Sequence, residues 1–89
     1  MFKDKVLLIT GGTGSFGNTV LRRFLNTDVK AIRIFSRYEK KQEELRLRLN
    51  NDKLKFYLGD VRDYESVAQA MSGVDYVFHA AALKNVSQS

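Results

Sequence analysis

The 89-residue chain contains neither cysteine nor proline, so at 10.2 kDa it allows one small domain without disulfides, zinc-thiolate sites or proline-rich linkers. No apolar run approaches the roughly 20 residues that cross a bilayer, and Met1-Phe2-Lys3-Asp4-Lys5 leads only into Val6 to Ile9, too little for a secretory signal, which makes the cytoplasm the expected compartment. Lysine and arginine number 15 against 10 acidic residues, a net charge of +5 that suits an anionic ligand, lipid or nucleic acid as well as plain solubility, so the placement of the charges matters more than their sum.

Val6-Leu7-Leu8-Ile9-Thr10 is a continuous branched apolar run stopped by two glycines, the pattern of a first strand covered on both faces of a parallel sheet. From Ser15 to Leu25 the apolar residues Phe16, Val20, Leu21, Phe24 and Leu25 recur at helical spacing, with Arg22 and Arg23 on the other side. Asn26-Thr27-Asp28 breaks this helix, and Ala31 to Phe35 predicts a second strand. Over Glu39 to Leu49 the signals conflict. Leu45-Arg46-Leu47-Arg48-Leu49 alternates as a strand would, yet the residues are good helix formers and Glu44 stands one turn before Arg48, so a helix is expected. Leu54 to Leu58 follows as a third strand. Asp63 is placed to cap a third helix over Tyr64 to Met71, with Val67, Ala70 and Met71 facing inward, and Tyr76 to His79 makes a fourth strand.

This βαβαβαβ alternation predicts an α/β fold, half of a Rossmann fold, with a parallel sheet of order 3-2-1-4 and helices on both faces. Such a sheet binds ligands beyond the carboxyl ends of its strands, beside the switch point between the first and fourth. The residues at those ends are therefore the candidate site. Gly12-x-Gly14-x-x-Gly17, within Thr10-Gly11-Gly12-Thr13-Gly14-Ser15-Phe16-Gly17, has the dinucleotide fingerprint spacing between a strand and a helix. Glycines there let a phosphate approach the backbone N–H groups at the helix start, and a β-carbon at Gly14 would obstruct it. A merely tight turn is the competing reading.

After the second strand stand Ser36 and Arg37, where an NAD site usually carries a carboxylate. A hydroxyl, a guanidinium and the nearby Lys40 and Lys41 attract a ribose 2'-phosphate, so NADP is preferred over NAD; the alternative is a solvated start to a charged helix. In Gly59-Asp60-Val61-Arg62-Asp63, Asp60 is placed to accept from an adenine amine and Val61 to cover the ring, while helix capping by Asp60 or Asp63 competes. The small residues of His79-Ala80-Ala81-Ala82-Leu83-Lys84 leave room for a cofactor. His79 reads as structural rather than as an acid or base, and Lys84 as facing a substrate phosphate or solvent. No catalytic residue and no metal ligand is assigned.

Together these four stretches resemble the extended short-chain dehydrogenase/reductase superfamily. Within it the likeness is greatest to the polysaccharide-biosynthesis UDP-N-acetylglucosamine 4,6-dehydratases, including the inverting dehydratase/5-epimerases of capsule and flagellin-sugar pathways. It runs through residues 1–84, taken as an NADP-binding domain with 85–89 as a tail. The resemblance implies a tightly held NADP that takes a hydride from sugar C4 and returns it at C6 after loss of water. It places Gly11, Thr13, Gly14, Ser15, Phe16 and Gly17 around the diphosphate, and Ser36, Arg37, Glu39, Lys40 and Lys41 around the ribose phosphate. Asp60 and Val61 would hold adenine, Ala80 would touch the cofactor, and Lys84 would touch the nucleotide sugar.

The family usually shows Ser-Arg-Asp-Glu where this chain has Tyr38 after Arg37. The superfamily's catalytic Tyr-x-x-x-Lys has no counterpart: four residues beyond Tyr38, Tyr57, Tyr64 and Tyr76 stand Gln42, Val61, Ala68 and Ala80. Without that lysine to lower a tyrosine pKa, the expectation is cofactor capture without turnover. The alternatives are a stand-alone dinucleotide-binding or assembly module without chemistry, or part of an enzyme like UDP-glucose 4-epimerase. Nucleic acid has only the net charge in its favour and is not an expected partner, nor is a membrane. An open fourth-strand edge carrying Val77 and Phe78 predicts a homo-oligomer.

Overall fold

The computed structural model describes residues 2–11 and 15–79, with the backbone alone for Ser15 and Phe16. Strands and helices alternate as β1 (Val6–Thr10), α1 (Ser15–Leu25), β2 (Ala31–Ser36), α2 (Glu39–Leu49), β3 (Leu54–Leu58), α3 (Tyr64–Met71) and β4 (Tyr76–His79). The strands pair in parallel in the order β3-β2-β1-β4. Because the chain steps outward from β1 to β2 to β3 and then returns past β1, right-handed crossovers put α1 and α2 on one face and α3 on the other. Strand alternation sorts the core accordingly. Leu7, Ile9, Ile32, Ile34 and Leu54 pack with Leu21 of α1 and Leu45 of α2, whereas Leu8 and Phe35 pack with Ala70 of α3.

The ambiguous Leu-Arg-Leu-Arg-Leu stretch is helical because one helical face, unlike one strand face, takes only two of its leucines. Leu45 is 3% exposed and Leu47 is 70% exposed, while Leu49, one turn after Leu45, packs at the edge of the core. The helix closes on Asn50 in the left-handed conformation (φ 42, ψ 58), whose N–H donates to the Arg46 carbonyl at 2.9 Å. Its ion pair differs from the expected one: Glu43 meets Arg46 three residues on, and no Glu44–Arg48 pair forms among the described residues.

On α3 Asp63 does cap, accepting from the Glu65 N–H at 3.2 Å and the Ser66 hydroxyl at 2.9 Å. Met71 corrects the reading of this helix. Val67 and Ala70 pack inward, but Met71 is 44% exposed, because the last residue of this short helix lies beyond the Leu8, Phe35 and Ala70 cluster. The carboxyl end of α3 is tied down from below instead. Arg33, on β2, donates to the carbonyls of Ala70 (2.8 Å) and Ser72 (2.6 Å) and lies over the Tyr57 ring at 5.3 Å. A cation at a helix carboxyl end satisfies orphan carbonyls and complements the dipole.

Candidate functional site

The strand register brings the predicted positions to one rim. Thr10 stands opposite both Phe35 and His79, and Ser36 opposite Leu58, so the residues that follow each strand emerge side by side. Gly11 turns the chain off β1 with φ 72, a left-handed conformation that favours glycine, while its N–H donates to the Phe35 carbonyl at 3.0 Å. Gly59 leaves β3 donating to the Ser36 carbonyl at 2.9 Å. Here it is space that requires glycine: a β-carbon would lie 2.8 Å from Ser66 Cβ and 3.0 Å from Phe35 Cζ. Across the switch point, Thr10 Oγ1 and His79 Nδ1 are hydrogen-bonded at 2.7 Å. That bond joins the ends of β1 and β4.

At the end of β2, Ser36 is buried and its hydroxyl accepts from Gln42 Nε2 at 2.9 Å. The same amide group donates to the Tyr57 carbonyl at 2.9 Å and the Ser36 carbonyl at 3.3 Å. Gln42 thus stitches α2 to the ends of β2 and β3. A buried polar group must find partners, and this one finds them at the rim. Arg37 beyond it is exposed, with its guanidinium 5.5 Å from the Tyr38 ring centroid and NH1 3.5 Å from Asp60 Oδ2. The neighbouring Tyr38 hydroxyl, more than Asp60, raises the Arg37 pKa above its ordinary value.

Asp60 is the electrostatic centre of the third turn. Its Oδ1 accepts from the Arg62 backbone N–H (2.9 Å) and Nε (3.2 Å), and its Oδ2 from Arg62 NH2 (2.9 Å). Those bonds from Arg62, with a smaller contribution from Arg37, hold its carboxyl well below the usual carboxylate value. Asp60 therefore stays ionised and fixes the turn, and the helix cap falls to Asp63.

Among the described residues, two concavities bear on the site. The larger, about 470 Å³, is a wide groove between α2 and β3 with Glu39, Glu43, Arg46 and Lys55 in its walls, away from the switch point. The smaller, about 230 Å³, is lined by Thr10, Phe35, Val61, Ala70, Val77 and His79. It lies at the carboxyl ends of β1 and β4, and its apolar walls and few polar groups suit a flat organic ring. We take it as the candidate pocket on position and chemistry rather than on size.

The structure therefore brings Gly11, Ser36, Arg37, Asp60 and Val61 to one rim. Glu39, Lys40 and Lys41 follow on the exposed first turn of α2, and Gly17 is buried in α1. Ser15 and Phe16 begin α1; Thr13, Gly14, Ala80 and Lys84 lie outside the described residues. Sequence reasoning passed over Gln42 and the packing need at Gly59. For Gln42 a signal existed, since it falls on one helical stripe with Leu45 and Leu49. Among the described residues no group of His, Cys, Asp and Glu is placed to hold a metal ion, and no helix is long and apolar enough to cross a membrane.

A family model described as "Polysaccharide biosynthesis protein" matches residues 7–89. The chain belongs to that family. The chain is 70% identical over 90 residues to proteins named UDP-glucose 4-epimerase in Rickettsia felis and Rickettsia prowazekii, alignments that cover 97% of this chain and 26% of each relative. It thus spans about a quarter of the length of the curated relatives it matches. Among solved structures, Pen from Bacillus thuringiensis superposes with a TM-score of 0.86 at 41% identity, over 90% of this chain and 25% of that one. A putative 3-oxoacyl-reductase from the same organism, at 21% identity, shares the fold alone, with a TM-score of 0.69 over 86% of this chain and 35% of that one. The chain is thus of the short-chain dehydrogenase/reductase type, and such relatives imply a nicotinamide dinucleotide. The rim fits that group: a left-handed glycine opens the first turn, exposed cations follow β2, and an apolar pocket lies at the switch point.

Proposed function

We propose that residues 1–84 hold NADP for a nucleotide-sugar 4,6-dehydratase or epimerase of surface-polysaccharide biosynthesis, with 85–89 leading out of the cofactor-binding domain. The observation that carries this reading is the convergence of Gly11, Ser36-Arg37 and Asp60-Val61 on one rim beside a 230 Å³ pocket. When bound, the nicotinamide ring supplies the hydride acceptor and donor. The protein's own residues bind and orient. Arg37, Lys40 and Lys41 supply the charge that answers a 2'-phosphate, Val61 offers an apolar wall to adenine, and Asp60 keeps the third turn in shape. Thr13, Gly14, Ser15, Phe16 and Gly17 join the reading at the diphosphate through their sequence pattern, as do Glu39 beside the ribose phosphate, Ala80 beside the cofactor and Lys84 at the nucleotide sugar. Since no tyrosine of residues 1–89 has a lysine four places on, these residues capture cofactor rather than transfer the substrate's protons.

Titration with NADP and NAD tests this directly. Saturable thermal protection by both, stronger with NADP, is expected, and no protection by either removes the reading. A stronger effect of NAD would keep the fold's function and overturn the cofactor preference. Two further parts of the proposal are a cytoplasmic site of action and self-association across β4, the edge strand among the described residues, where Tyr76 and Val77 are exposed; a strictly monomeric mass at high concentration would count against the latter.

The names of the Rickettsia relatives favour a second reading, 4-epimerisation of a uridine diphosphate sugar. In a longer protein containing this segment, mass analysis of the product separates the two: a dehydratase yields a sugar lighter by one water, whereas an epimerase leaves the mass unchanged.

A further inference from the structure

The start of α2 carries an arrangement of charge that the helix by itself disfavours. Tyr38 occupies the N-cap position with extended backbone (φ −110, ψ 91) and makes no side-chain cap hydrogen bond, where Ser, Thr, Asp or Asn would ordinarily close the helix. A helix amino end is partially positive, and Glu39 in the first turn answers it, yet Arg37 precedes this helix and Lys40 and Lys41 lie in the same turn. Cations there repel the dipole and one another unless something holds them. The Tyr38 ring does so for two of them: Arg37 Cζ lies 5.5 Å from its centroid and Lys41 Nζ 5.1 Å, inside the roughly 6 Å reach of a cation–π contact. The carboxylate of Asp60 is the other candidate for fixing Arg37, but its Oδ2 has a nearer partner in Arg62 at 2.9 Å than in Arg37 at 3.5 Å. Such an exposed pair contributes little.

We infer that Tyr38 is a positioning residue whose ring holds Arg37 and Lys41 together, so that the rim distinguishes adenosine bearing a 2'-phosphate from adenosine without one. The inference rests on the dinucleotide reading of the rim proposed above. Its content is that discrimination depends on the aromatic face of a side chain that itself carries no charge. Without the ring, both long side chains return to solvent and recover rotamer freedom that phosphate binding must then remove again.

The test uses the full chain with adenosine 2',5'-bisphosphate and adenosine 5'-monophosphate as probes, titrated into wild type, Tyr38→Phe and Tyr38→Leu, with far-UV circular dichroism as the folding control. Tyr38→Phe keeps the ring but removes the hydroxyl beside Arg37, so it is expected to lose less of the wild-type ratio of the two dissociation constants than Tyr38→Leu. Tyr38→Leu is expected to lower that ratio about fivefold by weakening the bisphosphate alone. In a Lys41→Met background the same Leu substitution should have a smaller effect, because the two act through one contact. An unchanged ratio in Tyr38→Leu overturns the inference while leaving the rim's function intact, as does an equal loss in Tyr38→Phe. A wild-type chain that binds neither probe overturns the rim reading and this inference with it.

Discussion

On the α1/α2 side of the sheet eight of the described residues close into one buried cluster, among them Ile9, Leu21, Ile32 and Ile34 at 0% exposure. On the α3 side Leu8, Phe35 and Ala70 alone are buried together among the described residues, and Val61, Met71 and Val77 remain exposed around the pocket. Polar ties do more of the holding there: the Arg33 guanidinium on two α3 carbonyls, the Asp63 cap, and the close seat of Gly59 beneath Ser66. A face held by apolar area is sensitive to lost volume. A face held by a few placed atoms is sensitive to single bonds and single clashes, and it is this second face that carries the pocket.

Chemical denaturation of point variants can break that contrast. The largest loss is expected for Ile34→Ala, about 3 kcal/mol from transfer and cavity together, while Val77→Ala on the open side should cost less than about 1 kcal/mol. Equal losses would mean the two faces are not held differently. Gly59→Ala should cost about 2 kcal/mol through overpacking against Ser66 and Phe35, and Ser66→Gly should recover part of it if the clash is the cause. Arg33→Met should cost about 1.5 kcal/mol by leaving the Ala70 and Ser72 carbonyls without their charged donor, with faster hydrogen exchange at the end of α3 as the local readout. Asp63→Ala removes the cap for about 1 kcal/mol.

The smallest effect is one of pH. Asp60 is depressed below the ordinary 3.8 in the folded chain, so its contribution is complete above that value and is lost as the pH falls through the depressed one. The midpoint difference between wild type and Asp60→Asn should therefore be constant near neutrality and shrink only in strong acid. A difference that already varies near neutrality would show that another group controls the turn.

The element pattern was legible because each strand and helix announced itself locally. The run Val6 to Thr10 ends at glycines, Asp63 stands ahead of an apolar stripe, and the alternation of types leaves few ways to order four parallel strands. Periodicity alone misled at Leu45 to Leu49, where residue propensity pointed the right way, and at Met71, where an apolar residue in register is the last of its helix and stays exposed. Glu44 and Arg48 had the spacing of a pair, yet Glu43 and Arg46 made it, since exposed ion pairs differ too little in free energy for spacing to choose between them.

Of the site, the chain order of residues already placed Arg37, Asp60 and Val61 at strand ends, because in a parallel sheet every carboxyl end faces the same side. What the chain order does not contain is which side chains meet across it. Gln42 on the ends of β2 and β3, Arg33 under α3, Thr10 against His79 and the need for glycine at Gly59 all depend on segments distant in sequence arriving at atomic spacing. Local propensity and periodicity act over a few residues and so specify elements and their order. Hydrogen bonds and steric exclusion act over a few ångströms between those elements, and only the packed sheet brings such partners within reach.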